Sequence, residues 1–100
     1  MIVYNVTIII DHSCHDEWLE WMKEIHIPEV MATGIFSDHK MLKIIEDYNP
    51  DGVTYGIQYF CPNMEALHHY ESEFAPQLRQ KTEERYSGKY GAFRTLLEVV

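Results

Sequence analysis

Along this 100-residue chain, segments of period-two hydrophobicity and segments of helical periodicity follow one another in the order β-α-β-β-α-β. That order constrains the fold more than any other feature of the sequence. Ile2 to Ile10 alternates Ile2, Tyr4, Val6, Ile8 and Ile10 against Val3, Asn5, Thr7 and Ile9, with the β-branched side chains that suit a pleated surface. Asp11-His12-Ser13 then supplies capping oxygens, and Asp16 and Glu17 complement the dipole of a helix predicted to begin near Ser13. Its core-facing stripe is Trp18, Trp21, Met22 and Ile25. Pro28 lacks an amide and disfavours helical backbone at Ile27, which predicts a kink just after His26 and a stop by Gly34. Lys40 to Tyr48 reads as a strand, Asn49-Pro50-Asp51-Gly52 as a tight turn, and Val53 to Cys61 as the second arm of a hairpin. Asn63 caps a second helical region that runs through Leu67, Tyr70, Phe74 and Leu78 toward Tyr86; Pro76 divides it into two pieces near Ala75. Tyr90 to Val100 alternates again as a closing strand.

Right-handed crossovers turn this order into an α+β, ferredoxin-like domain over residues 1–100: a four-stranded antiparallel sheet with both helical regions on one face. If Tyr4, Val6, Ile8, Tyr55, Ile57, Tyr59, Phe93, Leu97 and Val99 meet the helices, the opposite face carries Val3, Ile9, Phe60, Leu96 and Val100 among Asn5, Gln58, Arg94 and Glu98. An apolar patch of that size marks an association surface, and a second copy stacked on it would form a homodimer with a barrel-like interior. Because strand faces alternate with period two, a one-residue slip exchanges every inward and outward residue.

Sixteen acidic against eight basic residues give a formal charge of −8, which repels phosphate backbones and argues against nucleic-acid binding. No apolar run reaches the roughly 20 residues of a membrane span, and Met1-Ile2-Val3-Tyr4-Asn5 lacks a basic leader, so a cytoplasmic location is expected. Cys14 and Cys61 have no CxxC spacing and are expected to be free thiols.

The segment Trp21-Met22-Lys23-Glu24-Ile25-His26-Ile27-Pro28-Glu29-Val30-Met31-Ala32-Thr33-Gly34 and the ending Phe93-Arg94-Thr95-Leu96-Leu97-Glu98-Val99-Val100, with the element order, resemble the dimeric alpha-beta barrel superfamily. The chain is more closely similar to a bacterial family within it that has no assigned function. The resemblance implies a ferredoxin-like protomer and a homodimer, in a superfamily that includes cofactor-free monooxygenases, isomerases and haem-degrading proteins. The chain departs from the haem-degrading pattern: no histidine follows Pro76, and the third strand carries no tryptophan.

Local chemistry adds candidates. His26, at the predicted kink, is a cavity-facing imidazole or merely a cap paired with Glu24 or Glu29. Trp18 and Trp21 with Tyr4, Tyr55 and Tyr59 form an aromatic wall for a planar ligand or an ordinary core. Arg94, on a strand buried by dimerisation, needs an acceptor such as Glu98 or else binds an anionic ligand. Asn5 loosely matches the polar positions of the superfamily's sites. His12 and His15 at a helix start make a weak metal signal, His68-His69 a weaker one, and Cys14 near a helix N-terminus lacks a paired histidine motif. No phosphate loop, GxGxxG, HExxH or nucleophile elbow occurs, so no cofactor, metal site or catalytic residue is assigned. The expectation is a small homodimer, paired through its open sheet face, that binds a small apolar or aromatic molecule through His26, Trp21, Tyr4, Tyr55, Arg94 and Asn5. The alternative is a cofactor-free monooxygenase, isomerase or haem-binding enzyme of the dimeric barrel type.

Overall fold

The computed structural model describes residues 1–100. Four strands, β1 Ile2–Asp11, β2 Asp38–Lys43, β3 Gly52–Cys61 and β4 Tyr90–Glu98, form one antiparallel sheet in the order β2-β3-β1-β4. Helices α1 His15–Trp21 and α2 Ile27–Met31 connect β1 to β2, and α3 Met64–Glu73 and α4 Ala75–Tyr86 connect β3 to β4. This is the four-stranded ferredoxin-like α+β fold anticipated from the element order. No helix is long and apolar enough to cross a membrane.

The first helical region begins with a 3-10 turn over His12–Cys14, capped by Asp11, whose carboxylate accepts the Ser13 amide at 2.8 Å. The Ser13 hydroxyl, which donates to the same carboxylate at 2.6 Å, and then the Ser13 amide hold the Asp11 carboxyl below the usual carboxylate range. Pro28 does not stop the helix. Instead, a π-helical turn over Met22–His26 links α1 to α2, with the Ile27 amide bonding to the Met22 carbonyl. The wider turn spans the place where the missing Pro28 amide would interrupt regular hydrogen bonding, so the perturbation falls before the proline rather than at it. In the second region the break lies at Phe74, whose φ of −121° leaves helical geometry, and Pro76 sits in the first turn of α4, where its lost amide is tolerated.

β2 is shorter and earlier than the predicted Lys40–Tyr48. The stretch after Lys43 is claimed by Asp47, whose carboxylate accepts the Asn49 amide at 3.1 Å and the Thr54 amide at 2.7 Å. These bonds fold it into the turn, leaving Ile45 and Tyr48 exposed. At the start of β3, a side chain on Gly52 would lie 2.2 Å from the Ile10 carbonyl oxygen, so only glycine fits against β1 there.

Ile2, Tyr4, Ile8 and Ile10 of β1 and Tyr55, Ile57, Tyr59 and Cys61 of β3 are buried under the helices, together with Trp18, Trp21, Met22, Ile27, Val30, Leu67, Tyr70 and Leu78. The predicted faces of β1 and β3 hold, whereas that of β4 is inverted. Its register opposes Tyr4 with Leu96, Val6 with Arg94 and Ile8 with Ala92, so these residues share the helix-covered face. Phe93 and Leu97 lie opposite Thr7 and Val3 on the open face. β4 carries apolar residues at both parities, so alternation alone could not choose its orientation; pairing with β1 does.

The open face therefore carries Ile9, Phe60, Phe93, Leu97 and Leu42, with Val3 buried among its neighbours, around Asn5, Thr7, Gln58 and Thr95. Arg94 and Glu98, predicted for that face, belong to the other. Asn5 donates to the Thr7 hydroxyl at 3.0 Å.

Candidate functional site

A cavity of about 50 Å³ lies between the sheet and the helices. Its floor is Tyr4, Val6 and Ile8 of β1, with Ile57 and Tyr59 of β3 and Ala92 and Arg94 of β4; Met22, His26, Val30, Tyr70, Leu78 and Arg79 close it from above. Arg79, Tyr90, Ala92 and Arg94 also line a wider cleft with Gln80 and Glu83, so the cavity is the inner end of a depression that opens between α4 and β4.

The polar centre of the cavity is the Tyr4 hydroxyl. Its oxygen accepts Nη2 of Arg79 at 2.9 Å and Nε of Arg94 at 3.0 Å, and its own proton is donated to no protein group. Arg79 is also held by Glu71, with Nη2 at 2.8 and 3.1 Å from the two carboxylate oxygens. Arg94 has no carboxylate partner within ion-pairing distance in its own chain, Glu98 included, and the Tyr4 phenol orients the guanidinium. Around Tyr4 stand Phe36, parallel to it at 6.0 Å, Tyr70, edge-on at 5.8 Å, and Tyr59 at 6.3 Å. Burial pushes Tyr59 and Tyr70 above the ordinary phenol range, so both keep their protons at neutral pH.

His26 enters the cavity wall from the π turn, stacked on Trp21 at 4.8 Å. Its Nδ1 is buried without a hydrogen-bond partner. Burial, only partly offset by Glu29 and reinforced by Lys81, pushes its pKa down to about 4. The imidazole is thus neutral at pH 7, a hydrogen-bonding group and a weak base.

Of the six residues singled out in the sequence, Tyr4, His26 and Arg94 meet in this cavity, and Trp21 supports His26 from behind. Tyr55 lies apart. Its hydroxyl bonds His15 Nε2 at 2.7 Å while His15 Nδ1 bonds Asp16 at 2.9 Å, and Trp18 packs on its ring at 5.2 Å. That set fastens the start of α1 to the sheet and occupies both nitrogens of His15, one of the two histidines of the weak metal motif. Asn5 sits on the opposite face of the sheet. The anticipated aromatic wall is therefore three separate groups, around Tyr55, Tyr4 and Trp21. Sequence reading missed Arg79, Glu71, Tyr70 and Phe36. The only trace of the first two is the eight-residue spacing of Glu71 and Arg79 across the Phe74 break, a spacing that pairs nothing on a straight helix.

The sheet order and the helical connections define a ferredoxin-like α+β protein. A protein of the EthD family from Bacillus halodurans shares 15% identity over 100% of both chains, with a TM-score of 0.69. A single-substitution mutant of SnoaB, a cofactor-independent oxygenase from Streptomyces nogalater, shares 14% over 98% of this chain and 92% of its own, with a TM-score of 0.68. A MhuD variant solved with two manganese protoporphyrin IX bound per active site shares 18% over 100% and 95%, with a TM-score of 0.71. At these identities the likeness is one of fold. No curated protein sequence matches the chain. The chain belongs to the family described as Domain of unknown function (DUF4286), whose profile matches residues 1–100.

Proposed function

We propose that this protein binds a small aromatic or apolar molecule in the cavity between β1, β4 and the helices, as a homodimer paired through its open sheet face. The observation that carries the binding reading is the composition of the cavity: apolar and aromatic walls around a few convergent polar groups, Tyr4, His26, Arg79 and Arg94. The structural neighbours include a cofactor-independent oxygenase and a protein holding a metalloporphyrin, and these support a fold suited to flat ligands. The volume favours something far smaller than a macrocycle, since ordinary ligand pockets run to roughly 300–1,000 Å³ and this cavity is about 50 Å³. A closed cavity that holds benzene measures about 150 Å³, so a single aromatic ring would sit at the mouth, in the cleft lined by Arg79, Tyr90, Ala92 and Arg94, with only its edge reaching the cavity.

Phenol is a suitable probe. Calorimetric titration is expected to give saturable binding, and Ala92→Phe, which fills the mouth of the cavity from β4, is expected to weaken it at least tenfold. Equal binding by the variant would overturn the location. For the dimer, Phe93 is 57% exposed and Leu97 43% exposed on the open face, an apolar surface that a second sheet would cover. Sedimentation equilibrium is expected to give twice the 11.9 kDa of one chain, and Phe93→Glu to shift the mass toward the monomer. A monomeric wild type would refute the assembly.

A further inference from the structure

We infer that the ligand carries an anionic group, most simply a carboxylate on an aromatic or apolar frame, and that Arg94 with the Tyr4 hydroxyl is its seat. This rests on the proposed binding reading and names the chemistry of the ligand. Three observations carry it.

First, two guanidiniums converge on one phenol oxygen although the chain has only eight basic residues against sixteen acidic ones. Of those two, Glu71 neutralises only Arg79. The inner cluster of Arg79, Arg94 and Glu71 therefore keeps one uncompensated positive charge. Glu83, on the rim of the outer cleft, keeps its negative charge but makes no ion pair with Arg94; it accepts from the hydroxyls of Tyr90 at 2.7 Å and Ser87 at 3.1 Å.

Second, the donors are left open. Arg94 uses Nε on Tyr4, and its two terminal nitrogens bond to no protein group. The Tyr4 proton has no acceptor in the protein either. A planar guanidinium edge beside a phenol O–H matches the two oxygens of a carboxylate. Third, the position is right: Tyr4 and Arg94 line the apolar cavity, and Arg94 lines the outer cleft too. A ligand with its ring in the cleft against Tyr90 and Ala92, and its edge toward the cavity, would present its charged end to these donors.

The test compares benzoate with benzamide, which has the same ring and no charge, by calorimetry on the wild type and on Arg94→Gln. Loss of one charge-assisted hydrogen bond corresponds to roughly tenfold in affinity or more. Benzoate is therefore expected to bind at least tenfold tighter than benzamide to the wild type, and the preference is expected to vanish in R94Q. Lys89→Gln, which removes a positive charge outside the cavity lining, should keep the preference and so excludes a general charge effect. Equal binding of both probes to the wild type overturns the anionic assignment while leaving the cavity reading intact. A preference that survives in R94Q overturns the role of Arg94. If phenol, benzoate and benzamide all fail to bind, the cavity reading falls and this inference with it.

Discussion

Replacing Trp18 with alanine is expected to lower the unfolding free energy by about 3–5 kcal/mol, as full truncation of a buried indole usually does. Trp18 has no exposed surface, and it fills the space between α1 and the sheet beside Tyr55, its ring centroid 5.2 Å away. A domain of this size is held by only about 5–15 kcal/mol, so the variant should sit near its folding threshold. Trp18→Phe should lose much less. It leaves a smaller cavity and also removes the indole N–H, which is buried here without an acceptor, a group whose burial is itself unfavourable by about 1–3 kcal/mol. Urea denaturation of the two variants checks the ordering, and a phenylalanine variant as unstable as the alanine one would contradict it.

Acidification should weaken the fold well above the range in which most carboxylates titrate. His26 has a folded-state pKa of about 4 against an ordinary 6.5. The unfolded chain therefore takes up a proton as pH falls below about 6.5, while the folded protein resists until near 4. The stability contributed by the neutral, buried imidazole is complete above that window and is lost on descending through it. The loss between pH 7 and pH 5 amounts to about 2 kcal/mol. His26→Gln removes the titrating group and should flatten the stability profile over this interval. An unchanged slope in the variant would assign the effect to other groups. The same physics bears on binding, because a protonated His26 would need its own acceptor in the cavity wall and would disturb the stacking on Trp21.

How far this site could be read from the sequence depends on which residues are considered. The alternation of Ile2 to Ile10 and of Val53 to Cys61 was sufficient to orient β1 and β3, because in each the large apolar residues concentrate at one parity. It failed for β4, where Phe93, Leu96, Leu97, Val99 and Val100 occupy both, so only cross-strand pairing decides the face. That single inversion moved Arg94 from an imagined dimer interior to the cavity beside Tyr4. His26 was legible as a perturbed helical position from Pro28, although the perturbation is a π turn and not a kink at the proline. Arg79 and Tyr70 were not legible, since their convergence on Tyr4 depends on the angle between α3 and α4 at Phe74 and on no local pattern. Phe36 lies in an irregular connection after Gly34, where periodicity carries no information, yet it is buried against Tyr4, Tyr59 and Tyr70.

The central claim is that the ligand site lies on the helix-covered side of the sheet, not on its open face. Methyl-labelled protein titrated with phenol and followed by NMR reads both faces at once. Resonances of Val6, Val30, Ile57 and Leu78 are expected to shift with saturation, while those of Val3, Leu42 and Leu97 stay in place. Saturable shifts confined to the open-face methyls, or none on the cavity side, would contradict the account.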